Sequence, residues 1–260
     1  MKKNPILYGC IVCPYTNKVR FALEMLKIDY KYEEIDILAG KNRESQYLQI
    51  NPQGRVPSLT TINDKNLYDS QVLLQYIEDE YKGLFPEDNY AKGLQRIWVQ
   101  YFDNNIFSKY HPALAAFQEN KQDQLKKLQQ ETYENMKFFS KNSGITEKIK
   151  LQQNCFYEGG NIPTYADVAI ISHLRIMNIF WKHFLNTDLF YSNQHDEDLA
   201  SLKQLYENIH KLESCQNVSF QLKLLPAKGQ NLLIDDLINS NTFSFENYIV
   251  NFLKIKLNQK

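Results

Sequence analysis

The hydrophobic pattern changes period twice between residues 5 and 37, and no other feature of the chain restricts its fold as much. PILY (5–8) is a short apolar run that stops at Gly9, as a buried strand does. After Pro14, the residues Val19, Ala22, Leu23 and Leu26 fall on one face of a helix. IDYKYEEIDI (28–37) is then rich in Tyr and Ile, which suit a second strand. Strand, helix and strand in so short a span make a βαβ unit, whose crossover is right-handed. A short polar helix is expected over 42–50. VPSLTTI (56–62) and NLY (66–68) read as two strands around the turn NDKN. Val72, Leu73, Tyr76 and Ile77 then give a helix from Ser70. The first 81 residues thus read βαβ and then ββα.

The rest is helical in pattern. KGLFPEDNYAKG combines Gly, Pro and charge without periodicity and marks a linker over 82–91. Leu94, Ile97, Trp98, Tyr101 and Phe102 mark one long helix, and a more polar helix is expected over 121–140. Thr164 with Asp167 three residues later is a capping-box pattern. The helix it opens, to Phe180, is apolar almost all round, so it belongs at the centre of a helical domain. Another helix is expected over 198–213. The expected organisation is an α/β domain over 1–81, an all-α domain over 92–226 and a helical extension over 227–260, with Ile249, Phe252 and Leu253 as its apolar positions.

Charge narrows the partners. Thirty basic and thirty acidic residues leave no net charge, which argues against nucleic acid or an anionic membrane surface. No apolar run reaches membrane-spanning length, and the start, MKKNPILYG, lacks the sustained apolar stretch of a signal peptide. Four scattered cysteines do not make a disulfide scaffold, so a reducing, cytoplasmic setting is expected. There is one C-x-x-C, no second one and no H-E-x-x-H among the five histidines, so no metal is expected.

That C-x-x-C, Cys10 to Cys13, precedes Pro14 directly. Proline suits the first helical position because its missing N–H has no helical partner there. If Pro14 opens the helix, Cys13 is the N-cap, with its sulfur where free N–H groups and the helix dipole favour an anion. Cys10 lies outside the helix and reads as a small hydrophobe at a strand end. A helix end is worth about 1 kcal/mol, roughly one pKa unit, which would leave on the order of a quarter of the Cys13 thiol ionised at pH 7. Thr16, one turn on, could donate a further hydrogen bond to the sulfur. Asp69 and Ser70 open the next helix, where backbone N–H groups attract a carboxylate.

C-P-Y-T (13–16) resembles the glutaredoxin C-P-Y-C motif with Thr16 in place of the second cysteine. NPQGRVP (51–57) and YDS (68–70) resemble glutathione transferase signatures, and PTYADVAI (163–170) resembles the cap of that family's buried helix. A cysteine where other classes carry serine or tyrosine is similar to the omega class. The resemblance covers residues 5–81 well and the remainder weakly. It implies a thioredoxin-like first domain followed by an all-helical domain, glutathione as co-substrate, and a homodimer. It also implies a cis Val56–Pro57 bond whose Val56 backbone pairs with glutathione as an added strand. Asp69 and Ser70 would hold the γ-glutamyl head, although the family usually has Glu before this serine. Asp69 is one methylene shorter, which lowers the expected affinity and leaves the site's location unchanged. Arg43 or Lys41 would meet the glycyl carboxylate, and Tyr15 would line the thiol pocket.

Other transferase classes place a catalytic tyrosine where Tyr8 stands; with Cys13 present, Tyr8 is read as packing. Tyr101, Asn105, Tyr110 and Trp181 are candidates for the acceptor side, expected between the domains. The expected chemistry is monothiol transfer by a single cysteine, with glutathione as resolving partner, on a small-molecule or protein disulfide or in dehydroascorbate reduction. The alternatives are conjugation of glutathione to electrophiles, a non-catalytic glutathione-binding or scaffold protein, and a Cys10–Cys13 disulfide acting as a redox switch.

Overall fold

The computed structural model describes residues 3–152, 155–190, 197–220 and 245–258. The chain divides into two compact units, one of Met1–Leu84 with Glu213–Phe252 and one of Phe85–Leu212 with Leu253–Lys260.

The first unit holds a four-stranded sheet of β1 (Ile6–Gly9), β2 (Lys31–Glu34), β3 (Ser58–Thr60) and β4 (Asn66–Tyr68), in the order β2-β1-β3-β4. β1 runs parallel to β2 and antiparallel to β3, and β4 is antiparallel to β3. Helix α1 (Pro14–Met25) makes the crossover from β1 to β2, as the period changes predict, and Pro14 is its first residue. The second strand is shorter than its composition suggested. After Glu34 the Ile35 N–H still pairs with the Gly9 carbonyl, at 2.7 Å. Asp36 then accepts from the N–H groups of Leu38 and Ala39, both at 3.0 Å, and turns the chain away. Lys41–Arg43 forms a 3-10 turn, followed by α2 (Ser45–Leu48) and, after β4, by α3 (Ser70–Tyr81).

The core of this unit is largely apolar where the pattern placed it, although Val72 of the α3 stripe is exposed. Leu7, Val19, Ala22, Leu23, Leu59, Leu73 and Ile77 are all buried, at about 1.5–3 kcal/mol of transfer free energy for each larger side chain. Helix α1 differs from the amphipathic reading, because Lys18 and Arg20 are also fully buried. Two helices flank it: α3, and α10 (Glu213–Phe220), which the sequence had assigned to the helical domain. Arg20 is accommodated over the Tyr32 ring, 5.0 Å from its centroid, and donates to Asn17 Oδ1 at 3.1 Å. Residues 227–244 of the expected extension lie outside the described residues. From there α11 (Phe245–Asn258) buries Ile249, Phe252 and Leu253.

The second unit is helical: α4 (Asn89–Tyr101), α5 (Tyr110–Gln118), α6 (Gln122–Asn142), α7 (Ile145–Leu151), α8 (Tyr165–Phe184) and α9 (Glu197–His210). The long helix expected through Phe102 instead widens into a π turn at Phe102–Ile106 and tightens into a 3-10 turn at Phe107–Lys109. The π turn presents Asp103 to buried His173 of α8, at 2.9 Å. Helix α8 is the buried centre, and Thr164 with Asp167 forms the capping box that the sequence announced. Asp167 also accepts from the Tyr157 N–H at 2.9 Å, which ties a loop to the helix start. The stripe on α4 is not the one expected. Ile97 is exposed, whereas Gln95 is buried, accepting from the Ala166 N–H at 3.0 Å and donating to Glu158 at 2.7 Å. An unpaired donor at the start of a buried helix costs about 1–3 kcal/mol, so a glutamine there does more than another leucine could.

Candidate active site

Register brings the motif residues to one edge of the sheet. Tyr8 pairs with Ser58, and Ser58 pairs with Tyr68. The alternating directions of β1, β3 and β4 make this row the end of β1, the start of β3 and the end of β4. From that row β1 leads on to Cys13, β3 is preceded by Val56–Pro57, and β4 is followed by Asp69–Ser70. Three segments far apart in sequence therefore share one edge, and the starts of α1 and α3 share it with them. Both helix ends offer partial positive charge there.

Cys13 is the N-cap of α1, with extended backbone at φ −74° and ψ 119°. Its sulfur is half-buried and free. Burial pushes the thiol above its ordinary value, while the Thr16 N–H and hydroxyl, the Tyr15 N–H and the Lys18 charge pull it down. The sign corrects the expectation of a quarter-ionised thiol. The helix end and its donors oppose desolvation without overcoming it, because a half-buried sulfur loses more hydration than one turn of dipole returns. Thr16 is fully buried, and its Oγ1 also accepts from the Cys10 N–H at 3.3 Å. Gly9 makes room for it, since a Cβ at residue 9 would lie 2.2 Å from the Thr16 methyl. Tyr15 is half-buried beside Lys18, whose Nζ lies 5.3 Å from the ring centroid.

The Val56–Pro57 bond is cis. Asp69 caps α3, its Oδ1 accepting from the Gln71 and Val72 N–H groups at 2.9 and 3.3 Å. Its φ of 75° lies in the left-handed region, which aspartate tolerates better than most side chains. Ser70 is buried at the first position of that helix. Arg43 reaches the NPQG turn, donating to the Gln53 carbonyl at 3.3 Å, and Lys41 pairs with Glu44 at 2.8 Å. Both cations are exposed.

Tyr47 is the residue that the sequence reading missed. It donates to the Arg55 carbonyl at 2.6 Å and lies 2.9 Å from the Ser58 hydroxyl, bracketing the cis bond. Burial raises its phenol, and a Cys13 thiolate charge adds to the rise. Its one sequence signal was being the only aromatic within an otherwise polar short helix. Tyr8 meets Tyr47 edge to face, with centroids 6.4 Å apart. Beside them opens a cleft of about 550 Å³ whose lining includes Tyr8, Glu33, Asp36, Lys41 and Tyr47.

The acceptor-side candidates all lie in the second unit. Tyr110 and Trp181 are in its core, 2% and 0% exposed, which favours packing over the acceptor-side role for both. Aromatic neighbours enclose Tyr110, among them Phe107 and Phe180, and Trp181 packs on Phe180. Tyr101 donates to Asn135 at 2.9 Å, and Asn105 donates to the Tyr101 carbonyl at 3.1 Å. Among the described residues no group of His, Cys, Asp and Glu could hold a metal ion, and no helix is long and apolar enough to cross a membrane.

Comparison with known proteins bears on the fold that carries this geometry. Residues 7–84 match the family model of the glutathione S-transferase N-terminal domain. Glutathione S-transferase U8 of Arabidopsis thaliana is 27% identical over 166 residues, 63% of this chain and 67% of that protein. Two further Arabidopsis relatives are matched over less than half of their length. Among solved structures, a tau-class glutathione S-transferase from mango superposes with a TM-score of 0.67 at 20% identity, covering 84% of this chain and 93% of that one. Glutathione transferase Omega 3C from Trametes versicolor gives 0.65 at 19%, covering 84% and 90%. Two classes fit about equally well, so the backbone does not single out the omega class. Residues 7–84 are similar to the glutathione S-transferase N-terminal domain, and the chain has the fold of the glutathione transferases.

Proposed function

We propose that the chain is a glutathione-dependent thiol transferase with Cys13 as its nucleophile, of the cysteine type that the omega class resembles. The observation that carries this reading is the N-cap cysteine, half-buried, on the sheet edge that also bears Val56–Pro57 and Asp69–Ser70. Glutathione would run as an extended strand along Val56, with its γ-glutamyl head at Ser70 and the start of α3. Arg43 supports the turn before Val56, and Lys41 stands beside the cleft as a cation for the glycyl carboxylate. The Cys13 thiolate attacks a disulfide, its new S–S bond forms as the old one breaks, and the displaced thiolate takes up a proton. A glutathione thiolate then attacks the group bound to Cys13, forming a new disulfide with it as the bond to Cys13 breaks, and Cys13 is released as a thiolate. A homodimer and a reducing, cytoplasmic setting belong to the same reading.

Conjugation of glutathione to electrophiles is the second reading. Two observations favour it: burial raises the Cys13 thiol, and half-buried Tyr8 lines the cleft at the same edge. Kinetics of two variants separate the readings. Cys13→Ser is expected to lose thiol transfer to a glutathione mixed disulfide by about 100-fold or more, as removal of a covalent nucleophile does, while Tyr8→Phe keeps it. Full thiol transfer in Cys13→Ser, with conjugation lost in Tyr8→Phe, would reverse the assignment.

A further inference from the structure

Cys10 has no part in the scheme above, yet it is not placed as a mere packing residue. Its carbonyl accepts from the Cys13 N–H at 2.9 Å, closing a four-residue turn over 10–13. Such a turn holds its first and fourth Cα atoms within about 7 Å, and a disulfide spans about 4.4–6.8 Å between Cα atoms. Both sulfurs are free; Cys10 is buried and Cys13 only half so.

Glu34 stands next to Cys10. It pairs with Gly9 across the sheet, and its carboxylate accepts from the Ile11 N–H at 3.1 Å and from the Tyr32 hydroxyl at 2.6 Å. The same carboxylate lies close enough to the Cys10 thiol for its charge to act on it. Burial pushes Glu34 up to about 7, against the pull of its donors and of Arg20. Burial, followed by the charges of Glu34 and Cys13, pushes the Cys10 thiol well above its ordinary range. The other ionisable groups facing this cluster are Tyr32 on β2, Arg20 on α1 and Tyr248 on α11. A thiol raised in this way needs a nearby base to react, and a carboxyl that titrates near neutrality, anchored at the Ile11 N–H one residue away, is such a base.

We propose that Cys10 is a resolving thiol, with Glu34 as its base, that attacks the Cys13–glutathione mixed disulfide and closes a Cys10–Cys13 disulfide. The inference rests on Cys13 being the thiol-transfer nucleophile. Glu34 takes the proton from Cys10, and the Cys10 sulfur attacks the Cys13 sulfur. The bond between the two cysteines forms as the bond to glutathione breaks, and glutathione leaves as a thiolate that is protonated in turn. Oxidation passes from the adduct to the cysteine pair, and two further glutathione thiols reduce that pair and leave as glutathione disulfide. This branch competes with resolution by free glutathione and dominates where free thiol is scarce, because the attacking group is already in place.

Acid-quenched mass analysis over time, after mixing reduced protein with oxidised glutathione, tests it. Wild type is expected to gain one glutathionyl group and then lose it, ending two hydrogens lighter than the starting chain. Cys10→Ser is expected to keep the adduct. Glu34→Gln is expected to hold it at least tenfold longer at pH 7, general-base contributions being about 10²–10⁴-fold, with the pH dependence of release near neutrality gone. If wild type keeps its adduct on Cys13 as long as Cys10→Ser does, the resolving role falls and thiol transfer stands. If folded Cys10→Ser takes up no adduct, both readings fall.

Discussion

The Thr16 hydroxyl acts on two neighbours: it accepts from the Cys10 N–H, and it pulls the Cys13 thiol down. Thr16→Val keeps the shape and removes both effects. The Cys13 thiol should then rise by about one further pKa unit, since a hydrogen bond to a charged group is worth about 1.5–3 kcal/mol. Alkylation by iodoacetamide, followed from pH 6 to 10, checks this. Wild type is expected to react increasingly fast through and above neutrality, because burial already raises the thiol, and the variant's profile should lie to the alkaline side. Identical profiles would show that the hydroxyl does not reach the sulfur. Cys13 and Thr16 were legible in the sequence because Pro14 fixes where the helix starts. The sign of the thiol's shift was not, since desolvation depends on what covers the sulfur and no spacing rule reports that. Tyr47 was illegible for a related reason, because its partners are a carbonyl and a hydroxyl reached only once α2 and β3 are folded together.

At the level of elements, local signals carried furthest where they were chemical rather than periodic. The α8 capping box was read directly from Thr164 and Asp167, and the structure forms it. Asp167→Ala removes partners from the Thr164 and Tyr157 N–H groups together and should cost about 2–4 kcal/mol, one cap plus one buried unpaired donor. Denaturant unfolding measures it, and a loss under about 1 kcal/mol would show that water replaces the carboxylate. Periodicity did less well on α1 and α4. It shows which face is apolar but not how many neighbours a helix has. Flanked by α3 and α10, α1 buries Lys18 and Arg20 as well as its apolar face. On α4, Gln95 is inside because the start of α8 needs an acceptor.

For the whole molecule, stability should carry the mark of Glu34. Folded, it keeps its proton up to about pH 7; unfolded, it releases it near its ordinary 4.5. Between these values the folded state binds more protons, so this contribution is largest at the acid side and falls as pH rises through the window. Asp167, raised to about 6, acts in the same sense, and His210, pushed down to about 4, acts in the opposite one. The difference between Glu34→Gln and wild type isolates the first. Wild type should lose stability relative to the variant from pH 4.5 to 7, and a constant difference in thermal midpoint would contradict the shift. The βαβ–ββα order was legible along the chain, and its consequence at this scale is topological. Strand direction gathers Cys13, Val56–Pro57 and Ser70 at one sheet edge. The acceptor side was not legible, because aromatic residues at helical spacing look alike whether they face solvent or, like Tyr110 and Trp181, the core. A crystal structure with reduced glutathione bound tests the central claim most directly. The account expects the glutathione sulfur at about 3–3.5 Å from Cys13 Sγ, reacting-atom distance, with its backbone paired to Val56. A glutathione sulfur seated on the Tyr8 hydroxyl, away from Cys13, would contradict it.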